Sequence, residues 1–294
     1  MANPFDLPGP QFLVFYIVLG IGVNLLLRNL ILQKEKDSPA ALLVCSDPYK
    51  LAYLRAGACE TLRIVMFSLI DRGLLKASGT AVAAEPQARE IVRRPVEKTV
   101  VDFFAAPLQA REILDYPAAI SACDEYCREL SSEGLLADKA VFAGRRNVSL
   151  AALFLLIGIS VSKICIALSR GRHNIAFLLI LTLVFALWAI STWNRKQTGA
   201  GSEVLRRARL NFTPLKEDRA ERLRPGGMTN DAVCLAAAFG LAALPSGHFP
   251  YVATLFPQAA KTSGDSSYSG GCGGGTSGGC GGGGCGGGCG GCGG

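Results

Sequence analysis

The sequence predicts an all-α membrane protein with three transmembrane helices, a helical cytosolic domain and a disordered carboxyl-terminal tail. Three observations lead there. The mean hydropathy is +0.32 although the chain carries 30 Lys and Arg, so its apolar residues must be segregated into blocks. Three such blocks, residues 12–32, 148–168 and 175–193, have about the 20 residues that a bilayer crossing needs. The stretch 270–294 holds only Gly, Cys, Thr276 and Ser277. A chain of that composition has nothing apolar to bury and the highest backbone entropy to lose, so it builds no core.

Residues 1–11 contain Asp6 and no Lys or Arg, and no small-residue cleavage site comes after the first block, which sets aside a signal peptide. Arg28, Lys34 and Lys36 lie at its far end instead. Arg145 and Arg146 precede the second block, and Arg195, Lys196, Arg206, Arg207 and Arg209 come after the third. The positive-inside rule then places 1–11 outside, 33–147 in the cytosol, 169–174 as an external turn despite Arg170 and Arg172, and the carboxyl terminus inside. The expected location is a bacterial inner membrane, multi-pass. Two charges fall within the blocks, Arg28 and Lys163. Each is close enough to an end to snorkel, and a function is the competing reading of any intramembrane charge. Asn24 and Ser160 are too few polar groups for a transporter, which wants several facing ones or broken helices.

The cytosolic domain, 33–147, balances 16 basic against 16 acidic residues. Asp47-Pro48 is an N-cap with proline at the first helical position, opening a helix over 49–56. A second helix, about 59–71, sets Leu62, Val65, Met66, Leu69 and Ile70 on one stripe and stops at Gly73. A similar layout is expected again. Arg94-Pro95 opens a helix with Val96, Val100 and Phe103 on one face, and Ile120, Cys123, Cys127 and Leu130 make a stripe ending at Gly134. The two halves, about 47–84 and 94–138, share the tails Leu69-Ile-Asp-Arg-Gly-Leu-Leu-Lys76 and Leu130-Ser-Ser-Glu-Gly-Leu-Leu-Ala137. A helix ending in Gly-Leu-Leu before a β-prone segment (77–84) resembles the recognition helix and wing of winged-helix domains. That resemblance implies tandem winged-helix-like modules with a minor β component. It does not imply DNA contact, because phosphate binding needs clustered Lys and Arg, and here the signs are interleaved.

Catalytic signatures are missing. The two histidines, His173 and His248, are far apart, Asp124 and Glu125 point to different helix faces, and no nucleophile elbow, Walker loop or dinucleotide fingerprint occurs. The chain reads as a non-enzyme. Cys123 and Cys127 lie on an apolar stripe and read as packed thiols, as do Cys45, Cys59, Cys165 and Cys234.

Beyond the third block, 194–261 is a basic juxtamembrane and interfacial helical region. Residues 195–224 hold nine basic residues against four acids, which suits either anionic headgroups or simple topology setting. The apolar run Ala232–Leu244 is too short to span, and reads as an interfacial or packed helix.

The tail, 262–294, carries Cys272, Cys280, Cys285, Cys289 and Cys292 at shortening intervals. These five thiols are the candidate metal or modification sites. Zinc favours paired thiolates, which this spacing matches poorly, while copper(I) accepts a soft, adaptable set. A passive low-complexity tether is the plainer reading.

Asn3-Pro-Phe-Asp-Leu-Pro-Gly-Pro10, Asp47-Pro-Tyr-Lys-Leu-Ala-Tyr-Leu-Arg-Ala-Gly57 and the terminal Gly-Gly-Cys pattern together resemble a bacterial family of uncharacterised membrane proteins with Gly/Cys-rich tails. The resemblance implies a membrane location and carries no catalytic residue. It also associates the tail with multinuclear non-haem iron oxidases that modify peptide cysteines, which would make the tail a substrate. Two functions are thus expected. In one, the tail presents thiols to a soft metal, copper(I) or zinc, or to a cysteine-modifying enzyme. In the other, the 33–147 domain is a membrane-tethered regulator or adaptor touching proteins rather than nucleic acid.

Overall fold

The computed structural model describes residues 9–34, 47–169, 176–193, 197–217, 231–257 and 259. The first eight residues, Cys45, all but the first residue of the expected 169–174 turn and the whole Gly/Cys tail lie outside them. The described chain is mostly helical and divides into two compact units, Met1–Asp37 with Ala137–Gly199, and Ser38–Leu136 with Ala200–Gly294.

The first unit consists of three helices, α1 (Gly9–Lys34), α8 (Lys139–Ser169) and α9 (Ala176–Trp193). Two are long and apolar enough to cross a bilayer, over Gln11–Ile31 and Ala140–Ile166. The second of these apolar runs starts eight residues before the expected 148, because Asp138 caps α8: its Oδ1 accepts from the amides of Ala140 and Val141 at 2.8 and 3.0 Å. The third expected crossing is shorter than foreseen, an apolar run of Phe177–Ser191 within α9. The helices meet along Phe12, Tyr16, Leu156, Leu178 and Phe185, then along Leu27, Ile31 and Ala189. A Cβ at Gly20 would collide with the Phe185 ring, so glycine lets α1 and α9 approach there.

The second unit opens with α2 (Pro48–Ala56) and α3 (Ala58–Asp71). Asp47 is in extended conformation and accepts the Tyr49 amide at 3.0 Å, with Pro48 at the first helical position, as the sequence dictates. Gly57, at φ +80°, turns the chain between the helices. Then β1 (Leu75–Ser78) and β2 (Ala81–Ala84) form an antiparallel hairpin turning at Gly79, and β3 (Leu108–Gln109) adds to β2. Between them lie α4 (Ala88–Ile91) and α5 (Pro95–Phe103); α6 (Pro117–Ala122) and α7 (Asp124–Ser132) come after β3.

The expected repeat is local only. Gly73 and Gly134, both at φ +71°, close the same Schellman cap. In one copy Leu74 and Gly73 donate to the carbonyls of Leu69 and Ile70; in the other Leu135 and Gly134 donate to Leu130 and Ser131. The first copy then enters the hairpin, whereas the second runs to the Asp138 cap of α8 with no strand. The stripe Ile120–Leu130 is also not one helix, since Cys123 ends α6 and precedes α7.

Of the two readings left open for the apolar run, the packed one holds. Beyond α10 (Gly199–Glu217), α11 (Asp231–Phe239) packs in the core. Ala232, Val233 and Leu235–Ala238 are buried in the same core as Leu62, Val65, Met66 and Phe67 of α3. Phe249 meets Phe67 edge-on at 5.4 Å, just before α12 (Pro250–Leu255). Two arginines receive the carboxyl end of α11: Arg55 Nε donates to Ala237 O at 2.9 Å and Arg209 Nε to Ala238 O at 3.3 Å. Gly240, at φ +99°, returns its amide to Ala236 O.

Gly201 of α10 faces the Leu135 carbonyl with no room for a Cβ. Gly201→Ala should therefore destabilise the full chain by about 1–3 kcal/mol in thermal unfolding, whereas Gly247→Ala, at a position with open space, should be near neutral.

Candidate functional site

The motif Asp47–Gly57 turns out to be the hub of the second unit. Asp47 caps α2 and also accepts from Arg94 NH1 at 2.8 Å. Tyr49, buried, donates its hydroxyl to Glu97 Oε1 at 2.8 Å, and the same oxygen accepts from Arg72 at 2.9 Å. Lys50 reaches Glu129 of α7 at 2.6 Å. Arg55 pairs with Glu60, whose other oxygen takes Arg63 at 2.9 Å.

These contacts surround a small polar cleft of about 180 Å³, lined by Pro48, Tyr49, Ser68, Arg72, Arg94, Glu97 and Val233. The amino ends of α2 and α5 meet there, so two sets of helical amides add to two guanidiniums. The positive potential is already answered internally: Glu97 takes Arg72, and Asp47 takes Arg94. The Arg94 guanidinium also lies 4.8 Å from the centre of the Tyr49 ring. Burial, and then the Glu97 charge, pushes the Tyr49 phenol well above its ordinary value. Burial alone would lower Arg94, yet its bond to Asp47 holds the guanidinium above its usual range. These groups lock α2, α3 and α5 together, with charges matched in pairs.

Cys123 and Cys234 are not poised nucleophiles. Burial, with Asp124 beside it, raises Cys123 to about 12, and burial with Asp231 and Asp47 raises Cys234 to about 11. The thiolate is the reactive form, so at neutral pH both stay protonated. Cys59, Cys123, Cys165 and Cys234 form no disulfide. Cys59, Cys123 and Cys127 are packed as expected, Cys127 at 3 % exposed beside Leu54, Leu130 and Leu135, whereas Cys165 is exposed, which corrects its reading as a packed thiol. Among the described residues no group of three or more His, Cys, Asp or Glu could hold a metal ion. The tail thiols Cys272, Cys280, Cys285, Cys289 and Cys292 lie outside those residues.

Within the first unit a polar chain ties all three helices. Tyr16 OH donates to Leu156 O at 3.1 Å and sits 3.1 Å from Thr182 Oγ1, which is 2.9 Å from Ser160 Oγ. Asn24 turns back on its own helix, donating to Gly20 O at 2.9 Å. Lys163 places its ammonium 4.5 Å from the centre of the Phe12 ring, and Arg28 is exposed. Arg145, only 4 % exposed, donates to Gln197 O at 2.8 Å. Sequence reasoning missed Tyr16 and Thr182 because single hydroxyls in apolar blocks carry no period of their own.

Comparison with protein-family models, with curated proteins and with solved structures finds no match to this chain.

Glu60 offers a direct test of the hub. Burial would raise its carboxyl, but Arg55 and Arg63 outweigh burial and hold it below the ordinary value. Its stabilisation is therefore full above the unfolded pKa of about 4.3 and is lost as pH falls further. Glu60→Gln should lower stability by about 3 kcal/mol at pH 7. In melting curves the gap from wild type should narrow below pH 4; a gap constant with pH would contradict the pairing.

Proposed function

We propose that this chain is an integral membrane protein that crosses the bilayer three times and holds its helical domain and its Gly/Cys-rich tail on the same side. It acts without catalysing a reaction, by presenting the tail thiols to a soft metal or to a cysteine-modifying enzyme.

The observation that supports this is the core shared by residues 47–136 and 231–257. Two segments that pack together must lie on one side, so the chain between them crosses an even number of times. If α8 crosses, α9 must cross back. Its 18 residues fall within the range of about 17–25 for a spanning helix. Surface character agrees. Among the described residues every exposed large apolar side chain but Ile91, Tyr116 and Leu210 belongs to the three-helix unit, with Phe154 at 73 % and Phe177 and Val18 at 66 %. In water such a surface would aggregate; in lipid it is the ordinary exterior.

The regulatory alternative narrows to protein contacts. The helix before the hairpin, α3, would read DNA in a winged-helix protein, and here it is buried over Cys59–Leu69, against α2, α5, α6 and α11. For the side of the membrane, the positive-inside rule points to the cytosol.

Labelling decides both points. An impermeant maleimide on intact spheroplasts should leave Cys272–Cys292 unmodified, and permeabilisation should expose them. In the metal-free protein, copper(I) should then protect these thiols while calcium and magnesium do not, because the tail offers soft ligands almost alone. Replacing Cys285, Cys289 and Cys292 by Ser should remove most of that protection, since they close the shortest loops, and Cys272→Ser should change little. Labelling on intact spheroplasts would overturn the orientation. Absence of both metal protection and any native mass shift would overturn the presenting role.

A further inference from the structure

We propose that the exposed face of α10 is a binding surface for anionic lipid headgroups. The inference rests on the membrane reading above and names the lipid class that the chain engages.

One face of α10 is spoken for: Val204 and Ala208 are fully buried, and Ala200 and Leu205 nearly so. Its outer face presents Arg206 and Arg207, with side chains 61 % and 57 % exposed, and Leu210, 57 % exposed, one turn beyond Arg206. Glu203 organises the two guanidiniums. It takes Arg206 through Nε and NH2, both at 2.7 Å, and Arg207 through Nε at 2.9 Å. One carboxylate against two guanidiniums leaves a net positive charge on this exposed face. Two arginines beside an exposed leucine on the outer face of a packed helix are the composition of an interfacial helix: the cations suit phosphates, and the apolar side chain suits the acyl boundary.

Chain continuity supplies the occupant. Arg145 lies near the start of the Ala140–Ile166 crossing, and it fixes Gln197 O at 2.8 Å. Helix α10 begins at Gly199, directly after Gln197 and Thr198. The chain thus enters α10 two residues after a point anchored at the edge of the bilayer crossing. A bilayer surface uses both kinds of group, the cations at its phosphates and Leu210 at its acyl boundary.

The test uses the full chain purified in a neutral detergent, titrated with phosphatidylglycerol or with phosphatidylcholine, with retained lipid counted by native mass spectrometry. Wild type should retain phosphatidylglycerol in preference, by roughly fivefold for each arginine engaged. Arg206→Glu with Arg207→Glu should reduce phosphatidylglycerol to the phosphatidylcholine level. Lys76→Glu with Arg89→Glu, an equal charge change at side chains 76 % and 70 % exposed, should preserve the preference. Circular dichroism checks that both variants keep their helix content, as surface changes should. Equal retention of the two lipids by wild type, a preference surviving in the α10 variant, or its loss in the control variant would each overturn the proposal. The membrane reading fails separately, if alkaline carbonate releases the chain from membranes.

Discussion

The carboxyl end of α11 is the constraint on which the second unit depends. Its last carbonyls are sheltered from water, and a buried carbonyl left alone costs about 1–3 kcal/mol. Arg55 and Arg209, from opposite ends of the unit, answer Ala237 and Ala238, and Gly240 turns back to Ala236. Cations also suit the negative end of a helix dipole. Arg55 can serve there only because Glu60 orients it, and Arg63 braces Glu60 in turn. The clamp therefore reaches from the end of α2 through the start of α3 to α11. It joins stretches of chain separated by the whole of the apolar hairpin α8–α9.

The three-helix unit solves the opposite problem. Its outside is apolar and its inside carries hydroxyls, the reverse of the second unit. On the proposed membrane reading the helices gain no hydrophobic drive from one another in lipid, and close approach and interhelical hydrogen bonds supply the specificity. Gly20 against Phe185 provides the first. The Tyr16–Thr182–Ser160 chain provides the second, touching α1, α8 and α9 at one level. The Lys163 ammonium, 4.5 Å from the centre of the Phe12 ring, adds a cation–π contact between α8 and α1.

Much of the local structure was legible. Asp47-Pro48 and the glycines at 73 and 134 mark helix ends because cap chemistry is contained in a few adjacent residues. The β-prone segment after Gly73 is a hairpin for the same reason. The shared Gly-Leu-Leu tails misled, because a Schellman cap specifies how a helix ends and leaves the next element open. The docking of α11 was not legible. An apolar run such as Ala232–Ala238 has the same composition in a core as at an interface, and only its distant partners on α2 and α3 decide between them. The Tyr49–Glu97–Arg72 contacts were hidden likewise, as pairs distant in sequence leave no period. The helical run before 148 was not legible, because Arg145 and Arg146 suggested solvent, whereas α8 runs straight through them from the Asp138 cap.

The shared core is tested most directly by thermal unfolding of the full chain beside one ending at residue 199, in the same neutral detergent, monitored by near-ultraviolet circular dichroism. Without α10, α11 and α12 the apolar faces of α2 and α3 lose their cover, and Arg55 loses its carbonyl. The account predicts that the truncated chain keeps its membrane helices but loses the cooperative transition of the 47–136 region. An unchanged transition at the wild-type temperature would contradict it, and with it the requirement that α9 cross back.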